Sequence, residues 1–146
     1  MKPIFPVILL LLLFGACQGD APELAPNVAQ LVGTWQLREP ASPYTVTMQF
    51  DLDTNNPPLD VTPFRVSGRS SVNRYDGRLS AALDGMMVVT DLGSTKMAGS
   101  PDAMQFEQTY FANLKSVVRY EITPDNRLRM RYGAPQPGTL EFEKIN

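Results

Sequence analysis

The sequence predicts a mainly β fold: a small antiparallel, barrel-like sheet of about eight strands with one α-helix at about residues 101–115. Three observations carry this. Short runs of alternating apolar and polar residues recur along the chain, the period of strands with one buried face. Thirteen prolines and ten glycines interrupt those runs, as expected of an all-β domain built from short strands. One segment near residue 100 carries helix-start signals and helical spacing instead. A length of 146 residues suits a single domain.

The first strand candidate is Leu31–Leu37, which contains the only tryptophan, Trp35. A core anchor is the simplest role for it. Tyr44, Val46, Met48 and Phe50 face one way in the next strand, with Thr45, Thr47 and Gln49 on the other side. The loop Asp51–Asp60 opens with the Asp51, Asp53, Asn55 spacing of a calcium loop. Asn56 then stands where the glycine is required and Thr62 where the bidentate glutamate is required, so a polar surface loop is expected and no metal site. Val61–Val66 resumes strand character, with Pro63 pointing to an edge or irregular strand. Asp76-Gly77 and Asp84-Gly85 are tight-turn pairs. Met86–Thr90 is apolar on both faces at first, predicting cover on both sides.

Ser100-Pro101-Asp102 is a helix start: a capping serine, a first-turn proline and an acid at the positive end of the dipole. Ala103, Phe106, Tyr110 and Leu114 follow helical spacing, widened by Met104 and Phe111. Gln105, Glu107, Gln108 and Asn113 are expected outside this stripe. Three strands close the chain. Val118, Tyr120 and Ile122 alternate with Val117, Arg119 and Glu121; Leu128, Met130 and Tyr132 alternate with three arginines; Leu140 and Phe142 alternate with Glu141 and Glu143. The arginine row lies between acidic neighbours, which predicts a self-neutralising solvated face rather than an anion site.

The first sixteen residues have the form of an export signal: Lys2, then an apolar core from Ile4 to Phe14. The core is shorter than the roughly 20 residues of a membrane-spanning helix. Its end, Phe14-Gly15-Ala16-Cys17, resembles the lipobox of bacterial lipoproteins, departing from it at Phe14. That resemblance implies acylation of Cys17 and anchoring to a membrane through the acyl chains. Gln18 follows, in place of the aspartate that retains such lipoproteins at the inner membrane, which implies the outer membrane facing the periplasm. The expected organisation is therefore a lipoprotein signal peptide at 1–16, a flexible tether at 17–30 and one domain at 31–146.

Chemistry is constrained by what the chain lacks. It has no histidine, so the commonest general base and metal ligand is missing. Ser70 and Ser71 have no evident base, and no glycine-rich phosphate loop opens a helix. A formal net charge of -2 gives no electrostatic footprint for nucleic acid. No enzyme activity and no cofactor are expected.

The ordered elements resemble the META domain family, also described as heat-shock protein HslJ-like, over about Leu31 to Ile145. The resemblance is carried by Leu31-Val32-Gly33-Thr34-Trp35, by Ser67-Gly68 with Asn73-Arg74-Tyr75-Asp76-Gly77, by Ser94-Thr95-Lys96-Met97-Ala98, by Phe106-Glu107-Gln108 to Leu114, and by Leu140-Glu141-Phe142. It implies a small barrel-like β domain of the cell envelope, associated in some relatives with stress tolerance, and provides no catalytic residues. Many members carry a cysteine before the asparagine and another after the methionine signature, thought to form a disulfide. Val72 and Gly99 stand at those positions here. The resulting expectation is a non-catalytic envelope lipoprotein that binds an undefined envelope protein partner, with Arg74, Tyr75 and Lys96 as the exposed candidates. An apolar, lipid-like small ligand inside the barrel is the alternative; it is disfavoured because Trp35, Met48, Phe50, Tyr120, Met130, Tyr132 and Phe142 are expected to fill that interior.

Overall fold

The structure, a computed structural model, describes residues 24–54, 57–58 and 60–146. The signal segment, Cys17 and the first part of the tether lie outside the described residues, as do three positions of the 51–60 loop. The chain begins with one helical turn, α1 (Pro26–Ala29), followed by strands β1 (Gly33–Glu39), β2 (Thr47–Leu52), β3 (Val61–Arg69), β4 (Arg74–Ala82) and β5 (Met87–Ser94). Helix α2 (Pro101–Lys115) leads into β6 (Val117–Ile122), β7 (Arg127–Tyr132) and β8 (Gly138–Lys144).

All eight strands form one antiparallel sheet in the order β5-β4-β3-β2-β1-β8-β7-β6. Its two outer strands meet at a single bridge, Met86 to Arg119, where the Tyr120 amide also donates to the Gly85 carbonyl at 2.8 Å. The sheet is thus nearly closed into a barrel, which removes most of the exposed edge that an open sheet would present. The expected mainly β fold with one substantial helix is the observed one. Serine at position 100 caps α2 by accepting from the Ala103 amide at 3.3 Å.

The barrel interior is filled by its own side chains. Trp35, Phe50, Phe64 and Phe142 are fully buried together with Met48, Met87, Leu79, Leu128, Met130 and Leu140. Trp35 satisfies its indole N–H by donating to the Leu31 carbonyl at 2.8 Å, so its large apolar surface is buried without an orphaned donor. On the outer face of β6–β8, Arg127 and Arg129 donate to Glu141 at 2.6 and 2.8 Å, and Arg131 lies 3.2 Å from Glu121. The charged row neutralises itself across the ladder.

Several local expectations are corrected. Residues 24–30 are not part of a free tether: Val28 is buried, Leu24 and Ala25 pack on the core, and Asn27 donates to the Leu83 carbonyl at 3.0 Å. Asp76-Gly77 is not a turn but lies within β4. Gly77 is needed there because a Cβ would overlap the Asp91 carbonyl, beside the irregularity at Arg78/Leu79 in the β4–β5 ladder. The actual connection between β3 and β4 is the loop 70–73.

Pro63 sits in a strand with neighbours on both sides. Its carbonyl accepts from the Asp53 amide at 3.1 Å, so its missing N–H points to the same side, just past the end of β2, and only the reciprocal bond to Asp53 is forgone. The Met86–Thr90 strand is covered on one face only, leaving Met86 and Val88 exposed by 49% and 52%. The β6 alternation is shifted by an irregularity between Val117 and Arg119, which buries Val117 and turns Val118 outward.

Candidate functional site

The described residues converge on one buried polar cluster, at the end of the barrel where the 70–73 loop, α2 and the segment 94–99 meet. Glu107 lies on the buried side of α2, because Ala103, Glu107, Tyr110 and Leu114 are spaced by four, three and four residues and all are buried. Its carboxylate accepts from the Asn73 amide at 2.9 Å, from the Val72 amide at 3.3 Å, from the Asn73 side chain at 2.5 Å and from the Ser70 hydroxyl. Among the described residues, no Lys or Arg forms an ion pair with it. The loop 70–73 is wrapped around an anion that the protein itself supplies. Ser71 ties the same loop to the helix by donating to the Ala103 carbonyl at 2.6 Å.

Asn73 uses both ends of its amide. Its Oδ1 accepts from the Thr95 hydroxyl at 2.8 Å and the Met97 amide at 2.7 Å. Its Nδ2 donates to Glu107 and toward the Met97 carbonyl at 3.4 Å. A flipped amide would set donor against donor at Met97, so the orientation is fixed by its neighbours. One asparagine therefore joins helix, hairpin loop and the strap that follows β5. Burial pushes the Glu107 carboxyl up, and the hydrogen bonds from Ser70, Asn73 and Val72 outweigh that, leaving its pKa below the ordinary 4.5.

An aromatic group packs beneath this cluster. Tyr75 and Tyr110 have hydroxyls 2.9 Å apart, and Tyr75 donates to the Thr47 carbonyl at 2.8 Å, so Tyr110 is the donor between them. Burial raises the pKa of both phenols, and they remain neutral. Phe111 and Tyr110 cross the Tyr75 ring at centroid separations of 5.5 and 5.9 Å.

Of the residues predicted as sites, Arg74 and Lys96 are exposed and stand near each other, since the Thr95 amide donates to the Arg74 carbonyl at 3.0 Å. Tyr75 is not exposed; it is 2% accessible and belongs to the core. It alternates with Arg74 along β4, so the two point to opposite faces. Cys17 lies outside the described residues. Glu107 and Asn113, expected on the outer side of α2, are both buried. Ser70 contacts a carboxylate, as a nucleophile contacts its base, but it has no accessible surface and its hydroxyl is consumed by Glu107.

The profile of the META domain family matches residues 29–144. The chain belongs to the META domain family. The expected membership is thereby shown, and the match begins within the segment that packs around Val28. An NMR structure of a protein from Burkholderia xenovorans has the same fold: it is 22% identical, with a TM-score of 0.60 over 88% of this chain and 97% of that one. Nothing among curated proteins matches this META domain.

Val72 and Gly99, the positions where the family resemblance implies a cysteine pair, are in contact. A Cβ added at Gly99 would lie 3.5 Å from the Val72 Cβ, while overlapping one Val72 methyl. That Cβ separation falls in the range of a disulfide. The double variant Val72→Cys with Gly99→Cys is expected to form the bond in oxidant and to gain about 3–4 kcal/mol, from closing a loop of about 27 residues in the chain-entropy model. Denaturation with and without dithiothreitol checks this. The parent domain should be indifferent to the reductant, and an equally indifferent double variant would refute the geometry.

Glu107→Gln keeps the shape but turns one oxygen into a donor facing donors. It should cost about 1–3 kcal/mol at neutral pH. Because the folded-state pKa of Glu107 is depressed, its contribution is complete above the ordinary 4.5 and is lost as pH falls through the lower folded value. Thermal midpoints of parent and variant should therefore converge in acid; a gap that stays constant from neutral pH down to acid contradicts the assignment.

Proposed function

We propose that this META domain is a non-catalytic, envelope-tethered protein-interaction module. The observation that carries this reading is the state of the buried polar cluster. Ser70, Asn73 and Glu107 use their hydrogen-bonding groups on one another and on backbone, so the cluster acts as a clasp and offers no free nucleophile or base. The filled interior weighs against the small apolar ligand, since a ligand barrel needs unfilled space between its walls.

The clasp instead shapes an outer surface. Lys96 and Met97 are held on the strap by Asn73, and Met97 is 57% exposed. Beside them a hollow of about 460 Å³ is lined by Met104, Gln108 and Phe111 from α2. An apolar floor with a basic rim is the composition of a small protein contact. This end is opposite the one where α1 packs: β4 runs over nine residues from Arg74 to Ala82, and the steps between them, about 3.3 Å each, separate the ends by roughly 26 Å. A tether entering at α1 would present the clasp end away from its anchor.

The anchoring part of this reading rests on the lipobox-like end of the signal segment. Cys17→Ser should leave the precursor unacylated and move the domain from the membrane fraction to the soluble periplasmic fraction. Unchanged fractionation sinks the acyl anchor, at whichever membrane it is sought.

The interaction part is tested by pull-down from envelope extracts, comparing the parent with Lys96→Glu combined with Met97→Asp. A partner retained by the parent should be lost by the variant while the thermal midpoint changes by no more than about 2 °C, because both side chains are at the surface. Equal recovery by both proteins would place the contact elsewhere.

A further inference from the structure

Every arginine among the described residues has a carboxylate or carbonyl partner on the chain except Arg69 and Arg74. These two are directly opposed at the last position of the β3–β4 ladder and both are exposed. Like charges placed opposite each other in a ladder destabilise it. The same ladder shows how the chain treats such a pair elsewhere. Arg65 and Arg78 are also directly opposed, and there Asp53 reaches over, with one oxygen 2.6 Å from Arg65 Nε and the other 3.6 Å from Arg78 Nε.

We propose that Arg69 and Arg74 form a binding site for a carboxylate supplied by an acidic segment of a partner protein, which takes between them the place that Asp53 takes between Arg65 and Arg78. The two arginines border a surface hollow of about 330 Å³ together with Thr47, Ser67, Gly68 and Tyr75. Among the described residues, no acidic side chain lines it. Guanidinium groups present planar forks that match a carboxylate, and an intramolecular carboxylate already demonstrates the fit on this sheet. The pair lies at the clasp end, beside the strap that carries Lys96. The proposal rests on the interaction-module reading for its setting and supplies the partner's chemistry.

The test uses the protein purified from the envelope and a fluorescein-labelled hexaglutamate peptide, with hexaglutamine as the uncharged control. Fluorescence anisotropy should show binding of hexaglutamate only, weakening as salt is added. Arg69→Gln with Arg74→Gln should reduce the affinity at least about tenfold, the loss expected of a charge-assisted contact. Asp53→Asn frees the second arginine pair and should raise the amount of peptide bound toward two per chain. Arg74→Gln alone should raise the thermal midpoint by about 1–3 °C, because it relieves the opposed charges.

Binding that survives the double substitution overturns the site. So does a lowered midpoint for Arg74→Gln, or inorganic phosphate displacing the peptide at lower concentration than free glutamate does. If a partner recovered from envelope extracts binds the double variant as well as the parent, this site fails and the module stands. If hexaglutamate binds through the arginines while extracts yield no partner, the site stands and the module fails.

Discussion

The clasp end of the barrel depends on one carboxylate. Glu107 projects from the buried side of a helix into the mouth of a hairpin loop, where two backbone amides, an asparagine side chain and a serine hydroxyl converge on it. A carboxylate without a cation is costly to bury, yet charge-assisted hydrogen bonds are strong enough to hold it ionised. Asn73 then carries the tie onward to the strap at Thr95 and Met97. Helix, hairpin and strap come from three parts of the chain, and this network is the polar link that makes one rigid end of them. The tyrosines and phenylalanine beneath add an apolar floor.

The contact between Val72 and Gly99, where the resemblance implies a cysteine pair, fits this account. Val72 belongs to the loop that wraps Glu107, and Gly99 ends the strap that Asn73 holds. A covalent bond between them would join the same two segments that the Asn73 amide already joins. Here a valine methyl leans against a glycine instead, so packing and hydrogen bonds hold the junction without a bond. The absence of a side chain at Gly99 is what lets Val72 approach.

Much of the fold was legible in the sequence because two-residue periodicity survives wherever one face of a strand is buried. Met48 and Phe50, Leu128 and Met130, and Leu140 and Phe142 all point inward as their alternation implies. The misses have physical causes. Asp76-Gly77 has turn chemistry, but its glycine serves a close approach to Asp91 in the middle of a strand. The hairpin loop at 70–73 contains neither glycine nor proline, and its conformation is imposed by Glu107 from a distant helix. That error also hid the opposition of Arg69 and Arg74, which becomes visible only once the loop between them is placed. Glu107 falls outside the apolar stripe read from sequence, although its spacing from Ala103, Tyr110 and Leu114 puts it on the buried side of the helix. The candidate site was thus legible at Asn73, Thr95 and Met97 as a resemblance, and not as a network.

The distribution of charge separates the two halves of the sheet. On β6–β8, each arginine of β7 lies within 3.2 Å of a glutamate oxygen on a neighbouring strand, so that face meets solvent with these charges already matched. Such pairs add little stability individually, but they leave no field with which to attract a partner. On β3–β4, one opposed arginine pair is matched by Asp53 and the other is left open. The open pair lies beside the clasp, where the backbone is held from beneath by the Tyr75 and Asn73 contacts. A binding surface needs groups that are free and a scaffold that keeps them in place. The buried carboxylate of Glu107 supplies the second condition, and because its oxygens already accept from the loop, it offers no acceptor to Arg69 and Arg74, which have no ion-pair partner among the described residues. The same end of the barrel thus joins a satisfied buried network to an open pair of cations, which is the division expected of the proposed recognition module.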